Sequence, residues 1–185
     1  MKKLNTIVSQ YMEKYMDITE DNMDNLRSAI TTLDEAILDL MKDFVAQHKE
    51  FESAYGVIIA NINARGAYSP ADHTVLINHA YMLYYFDIND EDEEELKKKL
   101  STILHEHRHS YQFTEEMKYM RKYEKHWKKN RKETEDEYWD NPLEKDARLY
   151  ASLYINEAYE YVKDNLENKL EEELIILNAL NDLYE

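Results

Sequence analysis

Gly56-Val-Ile-Ile-Ala-Asn-Ile-Asn63, Arg65-Gly-Ala-Tyr-Ser-Pro-Ala-Asp72 and Thr74-Val-Leu-Ile-Asn78 follow one another in a chain that otherwise reads as helix. The outer two runs are rich in β-branched residues, and the middle one carries Gly, Pro and Asp turn signals. Together they predict a hairpin with a long loop. Two strands alone are barely stable in water, so helices must cover them. The expected fold class is α+β: mostly helical, with a small antiparallel β-hairpin or sheet.

On the N-terminal side, Met23, Leu26, Ile30, Leu33, Ile37, Leu40 and Phe44 alternate steps of three and four, which predicts a long amphipathic helix. Its apolar stripe packs on the domain's own core or, in the alternative reading, forms the seam of a homodimer. Ile7, Val8, Tyr11, Met12, Tyr15 and Met16 read as a shorter helix before it. On the C-terminal side, acidic residues from Asp87 to Glu95 give way to Leu96-Lys-Lys-Lys-Leu100, an order that suits the positive end of a helix dipole. A helix is predicted from about Asp90 through Phe113, with Leu96, Leu100, Ile103 and Leu104 inward. Two more are expected, from about Pro142 to Asn165 and from Asn168 to Tyr184, with Leu166, Leu170, Leu174, Leu177 and Leu180 facing inward.

Composition narrows the chemistry. The chain has 185 residues, enough for one real core, and only two glycines, Gly56 and Gly66, so no Gly-rich phosphate loop can be written. Cysteine is absent, which leaves His, Asp and Glu to hold any transition metal. A net charge of −16 disfavours nonspecific binding to nucleic acid or to an anionic membrane. No spanning segment or apolar signal core is seen, so a cytoplasmic protein is expected. One local exception is the stretch from Lys118 to Lys132, with eight Lys and Arg residues. It reads as a solvated helix face or as a rim that steers a partner.

His105-Glu106-His107-Arg108-His109 places His-Glu-x-x-His inside a predicted helix. Residues four apart are about 6 Å apart along the axis and ~40° around it, so His105 and His109 can point at one ion, with Glu106 beside it. His107 falls on another face. A zinc site of this kind needs a third protein ligand and leaves a position for water. Thirty-five residues after His109 comes Glu144, in Asn141-Pro142-Leu143-Glu144. The same four residues also read as a helix start, with Asn141 as cap, Pro142 first and Glu144 three after the cap, which needs no metal.

Strand, turn and strand ending in Ile77-Asn78, then His-Glu-x-x-His, then Glu144-x-x-Ala147-x-x-Tyr150-Ala151, resembles the small gluzincin metallopeptidases, particularly the ImmA/IrrE-type domains. The resemblance spans roughly Tyr55 to Tyr154; His-Glu-x-Arg108-His-x-x-Gln112 is also similar to small phage or mobile-element proteins of this class. The expected organisation is a zincin-like domain over 51–165, preceded by an N-terminal helical region, 1–50, and followed by a C-terminal helix, 166–185, packed on the same domain; the resemblance explains neither the first fifty nor the last thirty residues. It implies zinc on His105, His109 and Glu144, with Glu106 as general base and a peptide bond as substrate. An edge strand of Thr74, Val75, Leu76, Ile77 and Asn78 would lie along the cleft. Arg108, Gln112, Tyr150 and Tyr154 are candidates to support the histidines or the oxyanion. One departure is Arg148, four residues after Glu144, where related sites often carry Asp or Asn; Asp146 sits on a different helical face. The rival reading is an acidic binding or inhibitor protein, for example a phage anti-defence protein, whose zinc is structural.

Overall fold

In the computed structural model of the protein, the structure describes residues 7, 10–11, 23–52, 54, 56–78, 93–114 and 135–184. The elements with described bounds are helices α1 (Met23–Ala46), α2 (Glu93–Thr114), α3 (Glu135–Asp140) and α4 (Pro142–Tyr184) and strands β1 (Gly56–Ala60), β2 (Gly66–Ser69) and β3 (Thr74–Asn78). The basic stretch 118–132 and most of the shorter N-terminal helix lie outside the described residues.

The α+β class holds, but the simple hairpin does not. The sheet is mixed, in the order β1-β3-β2, with β1 parallel and β2 antiparallel to β3. The stretch expected to be a loop contains a strand, Gly66-Ala-Tyr-Ser69, too poor in β-branched residues to be read as one. The chain therefore reverses twice between the two β-branched runs and brings them together in parallel. Asn78 braces the first reversal: its side-chain amide donates to the carbonyls of Ile62 (2.7 Å) and Ala64 (2.8 Å). His73, at φ 50°, closes the second and meets the Tyr68 hydroxyl at 2.6 Å. Thr74–Asn78 is consequently the central strand, not the edge expected along the cleft. Its Val75 and Ile77 are fully buried, and β1 and β2 are the two edges.

Helix α2 packs on β2 and β3 and also against α4, while α1 packs on α4 and α2. One core runs through all of them, from Leu33, Ile37, Leu40, Met41 and Phe44 on α1 to Leu100, Ile103 and Leu104 on α2 and Val162, Leu166 and Leu170 on α4. The part of the α1 stripe from Leu33 onward is thus covered by the chain itself. The two helices expected at the C-terminus are one: α4 runs 43 residues without a break near Asn165 to Asn168. No Gly or Pro interrupts it there, and the buried Leu166 and Leu170 carry its apolar stripe straight through. Among the described residues no helix is long and apolar enough to cross a membrane.

One core position opposes the fold at high pH. Asp34 on α1 is buried, its Oδ1 has no hydrogen-bond partner, and burial pushes its carboxyl up to about 7, against the pull of Lys99. The folded pKa lies above the unfolded one, so stability from this group is full below pH ~4 and lost as pH rises toward 7. Asp34→Asn should therefore be more stable than the native chain by about 2 to 4 kcal/mol at pH 8, shrinking to about 1 kcal/mol at pH 4.5. Urea unfolding at the two pH values measures it; an equal gain at both would mean that charge is not the cause.

Candidate metal centre

Helix geometry does what the spacing requires: on α2, His105 and His109 turn one face toward the start of α4, with their Nε2 atoms 3.0 Å apart. Glu144, in the first turn of α4, closes the triangle, its carboxylate oxygens 3.1 Å from His105 Nε2 and 3.3 Å from His109 Nε2. Four-coordinate ions with ligand bonds of about 2 Å hold neighbouring donors about 3.3 Å apart, which is the spacing found. All three side chains are largely but not wholly buried. These residues could hold a metal ion.

The alternative account of Glu144 as a cap is half right. Asn141 does cap α4: its side-chain oxygen accepts from Leu143 N at 3.0 Å, and its carbonyl from Lys145 N at 2.9 Å. Glu144 does not reciprocate. The backbone N–H of Asn141 goes to the Tyr138 carbonyl instead, leaving the Glu144 carboxylate turned to the imidazoles. His105 Nε2 stands 3.1 Å from the buried Glu144 Oε2 without the alignment of a good hydrogen bond, a shortfall that an ion would make up.

Hydrogen bonds around His109 fix what it presents to the centre. The Gln112 amide nitrogen donates to Asp146 Oδ2 (2.7 Å) and to the Leu143 carbonyl (3.1 Å), both acceptors, so its Oε1 must be the end facing His109 Nδ1 at 2.8 Å. An amide oxygen only accepts, so the proton is on Nδ1 and Nε2 turns its lone pair inward. Lone pair, second imidazole and carboxylate together call for positive charge, from a proton or a metal. The same demand appears in the pKa directions. Burial opposes charge on His109, but contact with Glu144 outweighs it and raises the imidazole; burial would raise Glu144, but His105 and His109 hold it well below the usual carboxylate range.

Asp146, expected on the wrong face, reaches the histidine through Gln112. It is itself clamped by Arg108, whose Nε donates at 2.8 Å. Arg108 is buried, stacks on Tyr150 (3.6 Å) and Tyr111 (4.3 Å), and donates to the Glu50 carbonyl. As oxyanion candidates, Arg108, Tyr150 and Tyr154 are corrected: none lines the cleft, because Arg108 points away from the histidine face and the two tyrosines pack on Phe51. Of the four, Gln112 touches the cluster directly and Arg108 supports it through Asp146. Gln112→Ala should lower metal affinity about 10- to 100-fold, measured by competition with a chelating dye; undiminished affinity would show that the relay does not orient His109.

Two adjoining cavities, of about 350 and 410 Å³, meet at His105, Glu106 and Tyr138. Glu106 is buried between α2 and β2, and burial, with some help from Glu144, raises its carboxyl above the ordinary range against the pull of the two histidines. Gly66 makes that seat possible. A Cβ there would stand 2.9 Å from both Glu106 Cγ and Thr102 Cγ2. Tyr138 was missed by the sequence reading: half-exposed on α3, its hydroxyl is within hydrogen-bonding reach of Glu144, and burial followed by that negative neighbour pushes it up to about 12. The signal was an aromatic pair, Tyr138-Trp139, just ahead of the cap that launches the Glu144 helix. Wholly buried His107 faces the core, its Nδ1 on the Glu52 carbonyl at 3.3 Å, as its helix angle predicts. Comparison with protein-family models, with curated proteins and with solved structures finds no match.

Proposed function

We propose that the chain is a zinc-dependent peptidase of the gluzincin type, in a zincin-like domain, with His105, His109 and Glu144 as ligands and Glu106 as general base. The observation that carries this reading is the convergence, on one wall of an open cleft, of two imidazole nitrogens 3.0 Å apart with the two oxygens of one carboxylate, one 3.1 Å from His105 and the other 3.3 Å from His109. Glu106, which is not one of the three, stands in the same cleft. A bound zinc ion would supply Lewis acidity, lowering the pKa of water from 15.7 to about 7 and polarising a carbonyl.

The rest falls to the residues. Glu106 takes the proton of the attacking water at its carboxylate and hands it to the departing amine, which keeps the reaction balanced over one cycle. Gln112 and Asp146 hold His109 in the one tautomer that presents a lone pair. Tyr138, whose hydroxyl keeps its proton across the working range, would donate to the oxygen that gains charge. The substrate backbone would pair with β2, the edge strand bordering the cleft, which aligns a peptide with little demand on its sequence.

Elemental analysis of the purified protein is expected to give one zinc per chain, with chelator-sensitive hydrolysis of an unstructured peptide mixture. Absence of bound metal after reconstitution, or hydrolysis indifferent to chelation, would reject the proposal.

A further inference from the structure

The described lining of the larger cavity carries more cations than acids, the reverse of the chain as a whole. Among the described residues, three cations from separate parts of the chain border it, Arg65 just before β2, Lys98 on α2 and Arg148 on α4, and Glu106 is the one acid in its lining. In a chain of net charge −16 such a concentration is not the average of the surface.

Arg148 is the fixed member. Its Nη2 donates to the Trp139 carbonyl at 2.8 Å, and its guanidinium lies over the Trp139 ring at 4.6 Å, so the fork is held in one orientation. Its Nη1 is buried with no hydrogen-bond partner and stands 4.0 Å from Glu144 Oε2, too far to be satisfied by it. A buried N–H of a charged group left without an acceptor is costly, and an anionic oxygen entering the cavity removes that cost. Arg65 and Lys98 are exposed at the rim, where they would attract such a group rather than bind it tightly.

We infer that this cavity is a carboxylate subsite, with Arg148 as its principal donor, which receives an acidic side chain or a terminal carboxylate next to the substrate bond placed at the His–Glu cluster. As a determinant of substrate it rests on the peptidase reading, whereas carboxylate binding is measurable without catalysis. Arg148, at the position where a histidine-supporting carboxylate was expected, thereby takes a different role, and Gln112 with Asp146 fills the vacated one.

The test is an NMR titration of the full chain, followed at the Trp139 indole N–H, with three probes that carry no bond to be cleaved between residues. N-acetylglutamate amide offers a side-chain carboxylate, N-acetylalanine a terminal one, and N-acetylglutamine amide neither. At least one charged probe should bind roughly 10- to 100-fold more tightly than the neutral one, and Arg148→Gln should erase the preference. Which charged probe wins identifies the source of the carboxylate. Arg65→Gln with Lys98→Gln, both exposed, should weaken the charged probe about 2- to 5-fold and flatten its salt dependence, which keeps the test open if Arg148→Gln folds poorly. Equal affinity for charged and neutral probes, no binding of either charged probe, or a preference that survives Arg148→Gln would overturn the subsite. None of these outcomes bears on metal content or chelator sensitivity, so the peptidase reading fails or stands separately.

Discussion

Glu106→Gln is expected to lower peptide hydrolysis about 10²- to 10⁴-fold while metal content stays that of the native chain and the melting temperature does not fall. Glutamine has the same shape, and shape matters here because Gly66 leaves no room for anything larger against the Glu106 side chain. Stability should hold or improve, since burial already disfavours the charged carboxylate and the amide removes that charge. What the variant loses is, among the described residues, the one carboxylate in the cleft that does not belong to the three-residue cluster. Steady-state kinetics beside elemental analysis measures both halves. If the protein's biological effect is unaltered in this variant, the binding or inhibitor reading replaces the enzymatic one, with the metal serving only the fold.

Glu144→Ala and Asn141→Ala should fail in opposite ways, although the two residues belong to one sequence motif. Removing the Glu144 carboxylate takes away one of three donors and should cost about 10²- to 10³-fold in metal affinity. It should barely touch the start of α4, because Glu144 makes no return bond to Asn141. Asn141→Ala removes the cap on Leu143 N and should cost about 1 kcal/mol of stability, with metal still bound. Metal titration and thermal unfolding on both variants separate the two roles. Full metal retention in Glu144→Ala would take that residue out of the centre and return the motif to being a helix start.

The sequence by itself determined what depends on neighbours along the chain. A 3.6-residue period is enough to put His105 and His109 on one face, to send His107 to the other, and to bury Leu100, Ile103 and Leu104. Asn141-Pro142 is a local start signal, and it starts α4 where expected. The β-branched runs became β1 and β3 for the same reason.

Only the tertiary structure decided who meets whom. β1 and β3 pair in parallel because Gly66–Ser69 forms a third strand, a choice set by packing on α2 and not by its own propensity. That choice put β3 in the centre and made β2 the edge strand that borders the cleft. Whether Glu144 caps its helix or faces the histidines, whether Asp146 reaches His109, and whether Arg148 supports a ligand or opens a charged cavity are all contacts across α2, α3 and α4. Spacing fixes the direction in which a side chain leaves its own helix, but the partner at the end of that direction is supplied by another element.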